Sequence, residues 1–287
     1  MFDAPYQLEM PDARTTSVIF ASPHSGRAYP ASFLQNAILD ANEIRSSEDA
    51  FVDLLYADAP QYGAPLLTAH APRAYLDLNR GPEEMDSGLI EGVRRVSQNP
   101  RVASGLGVVP RVVAGGRPIY RGKISLAEAH HRIAGYWRPY HDALQTLIDE
   151  SHRTFGQAIL VDCHSMPHEA LDNVTLPGGK RPDIVLGDRF GAAASGAVVE
   201  HIEAAFGAAG LTVARNMPFA GAYIVQHYGR PSRRQHAVQI EIDRALYMDE
   251  ATLEPNANFD PLRAVLTDVI AEIAEIGRDT GAALAAQ

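Results

Sequence analysis

The 287-residue chain carries 25 basic and 35 acidic side chains, a formal net charge of −10 at pH 7, and 46% of its residues are hydrophobic. Such an acidic balance excludes a broad basic surface for nucleic acid, although a small site can hold positive charge against it, and a sizeable core is readily supplied. No run nears the roughly 18 apolar residues of a membrane span. The opening MFDAPYQLEMPDARTTS is too polar for a secretory signal, and the lone Cys163 forms no internal disulfide; together these predict a cytosolic protein.

In chain order, residues 17–22 (SVIFAS) read as a buried strand that ends on Pro23, His24, Ser25 and Gly26. Over residues 47–61 the apolar set Val52, Leu55, Tyr56 and Ala59 has helical spacing. Residues 66–68 and 75–78 read as short strands. Residues 80–121 are rich in Gly, Pro and Arg without periodicity, and a loop that long inside a compact domain is usually functional. Residues 125–151 read as a long helix turning Ile133, Trp137, Tyr140, Leu144, Leu147 and Ile148 inward, with a kink at Pro139. A second buried strand, residues 158–162 (AILVD), ends on Cys163, His164 and Ser165. Beyond it come strands at 183–186, 222–226 and 237–242, a helix at 193–206, a closing helix at 261–276 and a small-residue tail, GAALAAQ, expected to fray. Strands alternating with helices predict an α/β fold, here one domain over 1–287 with a long active-site loop at about 80–121.

Two features share one geometry. His24 and His164 each follow an apolar strand and precede small residues, and open α/β sheets collect ligands at the carboxyl ends of their strands. Two strand-end imidazoles suit a metal, and the bland alternative is two unrelated histidines. Asp162 alternates to the side of His164 and is expected to hold its ring. A catalytic zinc uses three protein ligands and keeps one position for water. Glu48 or Asp49 would supply the third, though Asp49, three residues after Ser46, equally suits a helix cap. Glu241 stands in the alternating HAVQIEID; it is a candidate general base with a raised pKa, or else a residue on the wet face of an edge strand.

Asn79 and Arg80 come directly after the run 75–78, and a guanidinium grips a carboxylate through two parallel hydrogen bonds. Arg73, Arg111 and Arg121 would add positive charge. His130, His131, His141 and His152 read as helix surface or caps; His70, His227 and His236 could support a site from behind. Cys163 reads as a buried structural thiol. No G-x-S-x-G elbow, phosphate loop or dinucleotide fingerprint is present.

With these residues the sequence resembles the N-formylglutamate amidohydrolase family. The blocks that carry the resemblance are FASPHSGRAYP (20–30), SSEDAFVDLLY (46–56), RAYLDLNR (73–80), PIYRG (118–122), YWRPYHDAL (136–144), ILVDCHS (159–165), AGAYIVQHYGRP (220–231) and HAVQIEI (236–242). The resemblance implies an α/β fold like that of the zinc carboxypeptidases and aspartoacylases (phosphorylase/hydrolase-like), a central mixed sheet flanked by helices. It further implies one metal, usually zinc, held by His24, Asp49 and His164, with Glu48 as the alternative third ligand. Asn79 and Arg80 then hold a substrate carboxylate, with Arg111 or Arg121 as a second grip, and Glu241 is the base. The reaction implied is hydrolysis of the small anionic N-formyl-L-glutamate to formate and glutamate, a step of histidine degradation. Where the family often reads Asp-Trp-His, this chain has Glu48–Asp49–Ala50–Phe51, so a zinc hydrolase of another N-acyl amino acid or amide is the alternative. A metal-binding or interaction protein without turnover is the non-enzymatic alternative.

Overall fold

The structure is a computed structural model that describes residues 4–93, 99–176 and 178–278. The tail expected to fray and part of the expected loop, residues 94–98, lie outside the described residues. Seven strands make one sheet: β1 (Tyr6–Glu9), β2 (Val18–Ser22), β3 (Leu66–Ala69), β4 (Ala158–Met166), β5 (Ile184–Gly187), β6 (Val213–Arg215) and β7 (Gln235–Asp243), in the order β1-β3-β2-β4-β7-β5-β6. β4 runs parallel to both β2 and β7, whereas β5 pairs antiparallel with β7 and parallel with β6. The sheet is therefore mixed, as expected. Its helices are α1 (Ala31–Asn36), α2 (Val52–Leu55), α3 (Pro100–Ala103), α4 (Leu126–Arg132), α5 (Arg138–Phe155), α6 (Gly196–Ala208), α7 (Tyr223–Tyr228) and α8 (Phe259–Gly277).

The described chain forms two compact units. One takes residues 8–22, 51–67 and 144–278 and holds β2, β4, β5, β6 and β7 with α2, α6, α7 and α8 around them. β2 and β4 are buried at every position and β7 at all but Gln235, so Val18, Ile19, Phe20, Ile159, Leu160, Val161, Val238 and Ile240 form a continuous apolar layer. The face of α8 that carries Leu266, Val269, Ile270 and Ile273 is fully buried. The other unit takes residues 4–7, 23–50 and the described part of 68–143, with α1, α3 and α4. Phe33, Tyr75 and Tyr120 cluster there, with the Arg132 guanidinium 4.1 Å from the centre of the Tyr75 ring.

Several sequence expectations are corrected. The helix expected over 47–61 is broken into α2 and a 3₁₀ turn, Ala59–Tyr62, because Phe51 has a left-handed φ of 66° and Pro60 interrupts the run. Glu48 and Asp49 therefore precede the helix without capping it. Residues 75–78 are turns: Tyr75 and Leu76 donate to the Pro72 carbonyl and Asp77 donates to that of Val108, so buried Leu76 and Leu78 mimic a strand pattern. Residues 222–226 open α7, where the Gln226 N–H donates to Ala222, despite their β-branched content. β4 runs on to Met166, so His164 stands on a strand and does not follow one. β7 is an interior strand, which excludes the edge-strand explanation of its polar positions. The long helix starts at a Ser125 cap and opens into a π-helical turn, Ile133–Trp137, just before Pro139. Proline there cannot donate to the carbonyl four residues back, and the wider turn absorbs the mismatch.

Leu160 lies at the centre of β4 and is almost fully buried. Leu160→Ala is expected to lower unfolding free energy by about 2–5 kcal/mol, measured by urea denaturation.

Candidate metal centre

The turn after β2 is shaped by close packing. A β-carbon on Gly26 would stand 2.2 Å from the Ala71 carbonyl oxygen, and Ala28 donates to the carbonyl of His70, so the turn is stitched to residues 70–71. Held this way, His24 is buried and directs Nε2 to Asp77 Oδ1 at 2.7 Å. Its Nδ1 stands 3.4 Å from Asp49 Oδ2, and the Asp49 N–H donates to the His24 carbonyl, which fixes the two residues together.

Asp77 is the centre of the local charge. Burial alone would raise its pKa, but His24, Arg73 and Arg80 outweigh that and hold the carboxyl well below its ordinary value. Arg73 Nε donates to Asp77 Oδ2 at 3.2 Å, and the Asn79 N–H donates to Oδ1 at 2.8 Å. Nothing in the sequence pattern singles out Asp77 beyond its place two residues before Asn79. The signal it does leave is a carboxylate in a buried run that also holds two arginines.

β4 and β7 supply the second cluster. Parallel pairing sets Asp162 beside Gln239 and His164 beside Glu241, so all four side chains leave the same face. Asp162 Oδ2 lies 3.0 Å from His164 Nε2, the partnership the alternation predicts. Gln239 donates to Glu241 Oε1 at 2.7 Å and accepts the Ala222 N–H at the start of α7, so it ties the carboxylate to a helix. Glu241 itself is 7% exposed. Cys163, on the opposite face, is fully buried; burial and then Asp162 push its thiol well above the ordinary range, which keeps it protonated and unreactive.

His24, Asp49 and His164 form a buried group whose ligand atoms all lie within 4.8 Å of one another, a set that can hold one metal ion. Two imidazoles and a carboxylate form a donor set suited to zinc. Glu48 is outside this group, because its carboxylate accepts hydrogen bonds from Tyr29 (2.6 Å) and Arg45 (3.1 and 3.2 Å). Asn79 and Arg80 are both buried on the segment that carries Asp77. Arg111 is paired with Asp86 at 2.7 Å, while Arg121 lines a cavity of about 630 Å³ with Tyr75, Tyr120 and Arg132. None of the residues around that cavity belongs to the metal group. His141, expected on the helix surface, is instead buried, with Nε2 2.9 Å from the Leu78 carbonyl oxygen, and that placement is a correction.

With this geometry in place, comparison with known proteins adds a decisive observation. The family model for N-formylglutamate amidohydrolase matches residues 16–248. The chain belongs to that family. Among its relatives, the N-formylglutamate deformylase of Pseudomonas aeruginosa is 31% identical over 273 residues, covering 91% of this chain and 94% of that one. The N-formylglutamate deformylase of Pseudomonas putida is 30% identical over 81% of this chain and 82% of its own length. The crystal structure of N-formylglutamate amidohydrolase from Ralstonia eutropha JMP134 superposes with a TM-score of 0.89 at 36% identity, covering 96% of this chain and 98% of that one. Among the described residues no helix is long and apolar enough to cross a membrane.

Carboxylates that hold the outer nitrogen of a metal-binding histidine fix its tautomer and aim. Asp77→Asn is expected to weaken zinc binding about 10–100-fold with the fold retained, read by competition against a chromogenic chelator alongside circular dichroism.

Proposed function

We propose that this amidohydrolase cleaves the N-formyl amide of N-formyl-L-glutamate, giving formate and L-glutamate, with one divalent metal, zinc by its donor set, held by His24, Asp49 and His164. The observation that carries this reading is the buried group of two imidazoles and one carboxylate in a chain of this family. Nε2 of each histidine faces an aspartate, Asp77 for His24 and Asp162 for His164, which would fix the aim of both rings toward a metal. When bound, such a metal lowers the pKa of a water and polarises a carbonyl.

The chain's own residues do the rest. Glu241, held by Gln239, takes a proton from the attacking water and delivers it to the amine nitrogen as the C–N bond breaks. Asn79 and Arg80 bind a carboxylate of the substrate and hold the scissile amide in place. Arg111, which pairs with Asp86, or Arg121 is the second grip. We further take 1–287 as one catalytic domain, supported by a chain that passes between its two compact units five times, at 7/8, 22/23, 50/51, 67/68 and 143/144. The family resemblance assigns the reaction to histidine degradation, and the lone Cys163 fits a reducing cytosol. A different N-acyl amino acid is the second reading, favoured by Ala50–Phe51 in the block that carries Asp49.

Two measurements test this. Purified enzyme with zinc is expected to release formate from N-formyl-L-glutamate faster than from a panel of other N-acyl amino acids, and to lose that activity on chelation. Glu241→Gln is expected to lower kcat about 10²–10⁴-fold while metal content stays at one ion per chain. Absence of metal uptake and of formate release would overturn the proposal.

A further inference from the structure

Asn79 and Arg80 lie on turn backbone, where no strand or helix ladder fixes their direction. Two side chains from the helical layer fix it instead. Trp137 donates its indole N–H to the Arg80 carbonyl at 2.9 Å. His141 Nε2 lies 2.9 Å from the Leu78 carbonyl oxygen, and since a carbonyl only accepts, that nitrogen carries the proton. The two bonds bracket Asn79, one residue to either side. The indole and imidazole stack with centroids 3.9 Å apart and planes 29° from parallel, so they meet the backbone as one aromatic plate.

The helix is built to present this plate. Trp137 is the last residue of the π-helical turn and His141 lies four residues on, within α5. A π turn adds a residue and rotates the helix beyond it, and such turns recur at functional sites. The arginine is held from its other end as well: Nε donates to the Leu106 carbonyl at 3.1 Å and Nη1 to that of Asn79 at 2.9 Å.

We infer that Trp137 and His141 are positioning residues, which set the backbone of Leu78–Arg80 so that Asn79 and Arg80 meet the substrate carboxylate. This rests on the assignment of Asn79 and Arg80 to that carboxylate. Their loss degrades binding of the substrate and leaves the chemical step intact. Trp137 is also the chain's one tryptophan, so its fluorescence reports directly on the segment it holds.

The test uses the full-length zinc-loaded enzyme with Trp137→Phe, His141→Leu, His141→Gln and, for the underlying assignment, Arg80→Lys. Steady-state formate release from N-formyl-L-glutamate is measured, and wild-type tryptophan emission is monitored while L-glutamate is added. Trp137→Phe and His141→Leu are each expected to raise KM about tenfold, the effect of losing one hydrogen bond, with kcat within about twofold. His141→Gln, which keeps a side-chain N–H, is expected to restore much of that loss. Wild-type emission is expected to shift with saturation as glutamate binds. An unchanged KM in Trp137→Phe, or a fall in kcat alone, overturns the inference, and Trp137→Phe decides if His141→Leu fails to fold. If Arg80→Lys raises KM while Trp137→Phe does not, only the positioning role falls. If Arg80→Lys also leaves KM unchanged, both fall.

Discussion

Parallel pairing of β4 with β7 in a single register is the constraint on which most of the proposed chemistry depends. Once Asp162 stands beside Gln239, the two-residue repeat of the strand leaves His164 and Glu241 no choice but to be neighbours on the same face. A slip of one residue would turn all four to the far side of the sheet and bring Cys163 and Ile240 in their place. Burial on both faces makes such a slip costly, since every position of β4 is enclosed. The sheet thus stabilises the chain and sets which side chains meet.

The polar groups are arranged so that each one near the metal group has a second residue to hold it. Asp77 holds His24, Asp162 holds His164, and Gln239 holds Glu241. Burial favours the neutral form of a carboxyl, and Asp77 stays ionised because His24, Arg73 and Arg80 surround it. Adjacent acids show how closely this is divided. Glu48 is committed to Tyr29 and Arg45, while Asp49, one residue on, turns to His24.

Much of this is legible in the sequence where periodicity is strong. The central strands, α6 and α8 obey apolar patterns that few alternatives satisfy, His24 and His164 emerge from their place after apolar runs, and Asp162 emerges from alternation. The segments that depart from their sequence pattern share one property: each has a bonding partner outside the local chain. Residues 75–78 look like a strand because Leu76 and Leu78 are buried, yet Tyr75 and Leu76 fold back on Pro72 and Asp77 donates to Val108. Ile224 and Val225 are β-branched, yet the Ala222 N–H donates to Gln239 on β7 and the chain coils into a helix. His141 looks like a surface residue because its partner, the Leu78 carbonyl, is 63 positions away. Side-chain-to-backbone bonds over such separations leave no periodic trace.

Phe51 comes two residues after Asp49 and holds a left-handed φ of 66°, a conformation that costs a bulky side chain on the order of 1–3 kcal/mol. Its ring meets Phe259 of α8 edge-on, with centroids 5.9 Å apart. Glycine would relieve the backbone but forfeit that contact and loosen the turn that presents the acid. The strained turn is thus held by the anchoring of the Phe51 ring on the closing helix.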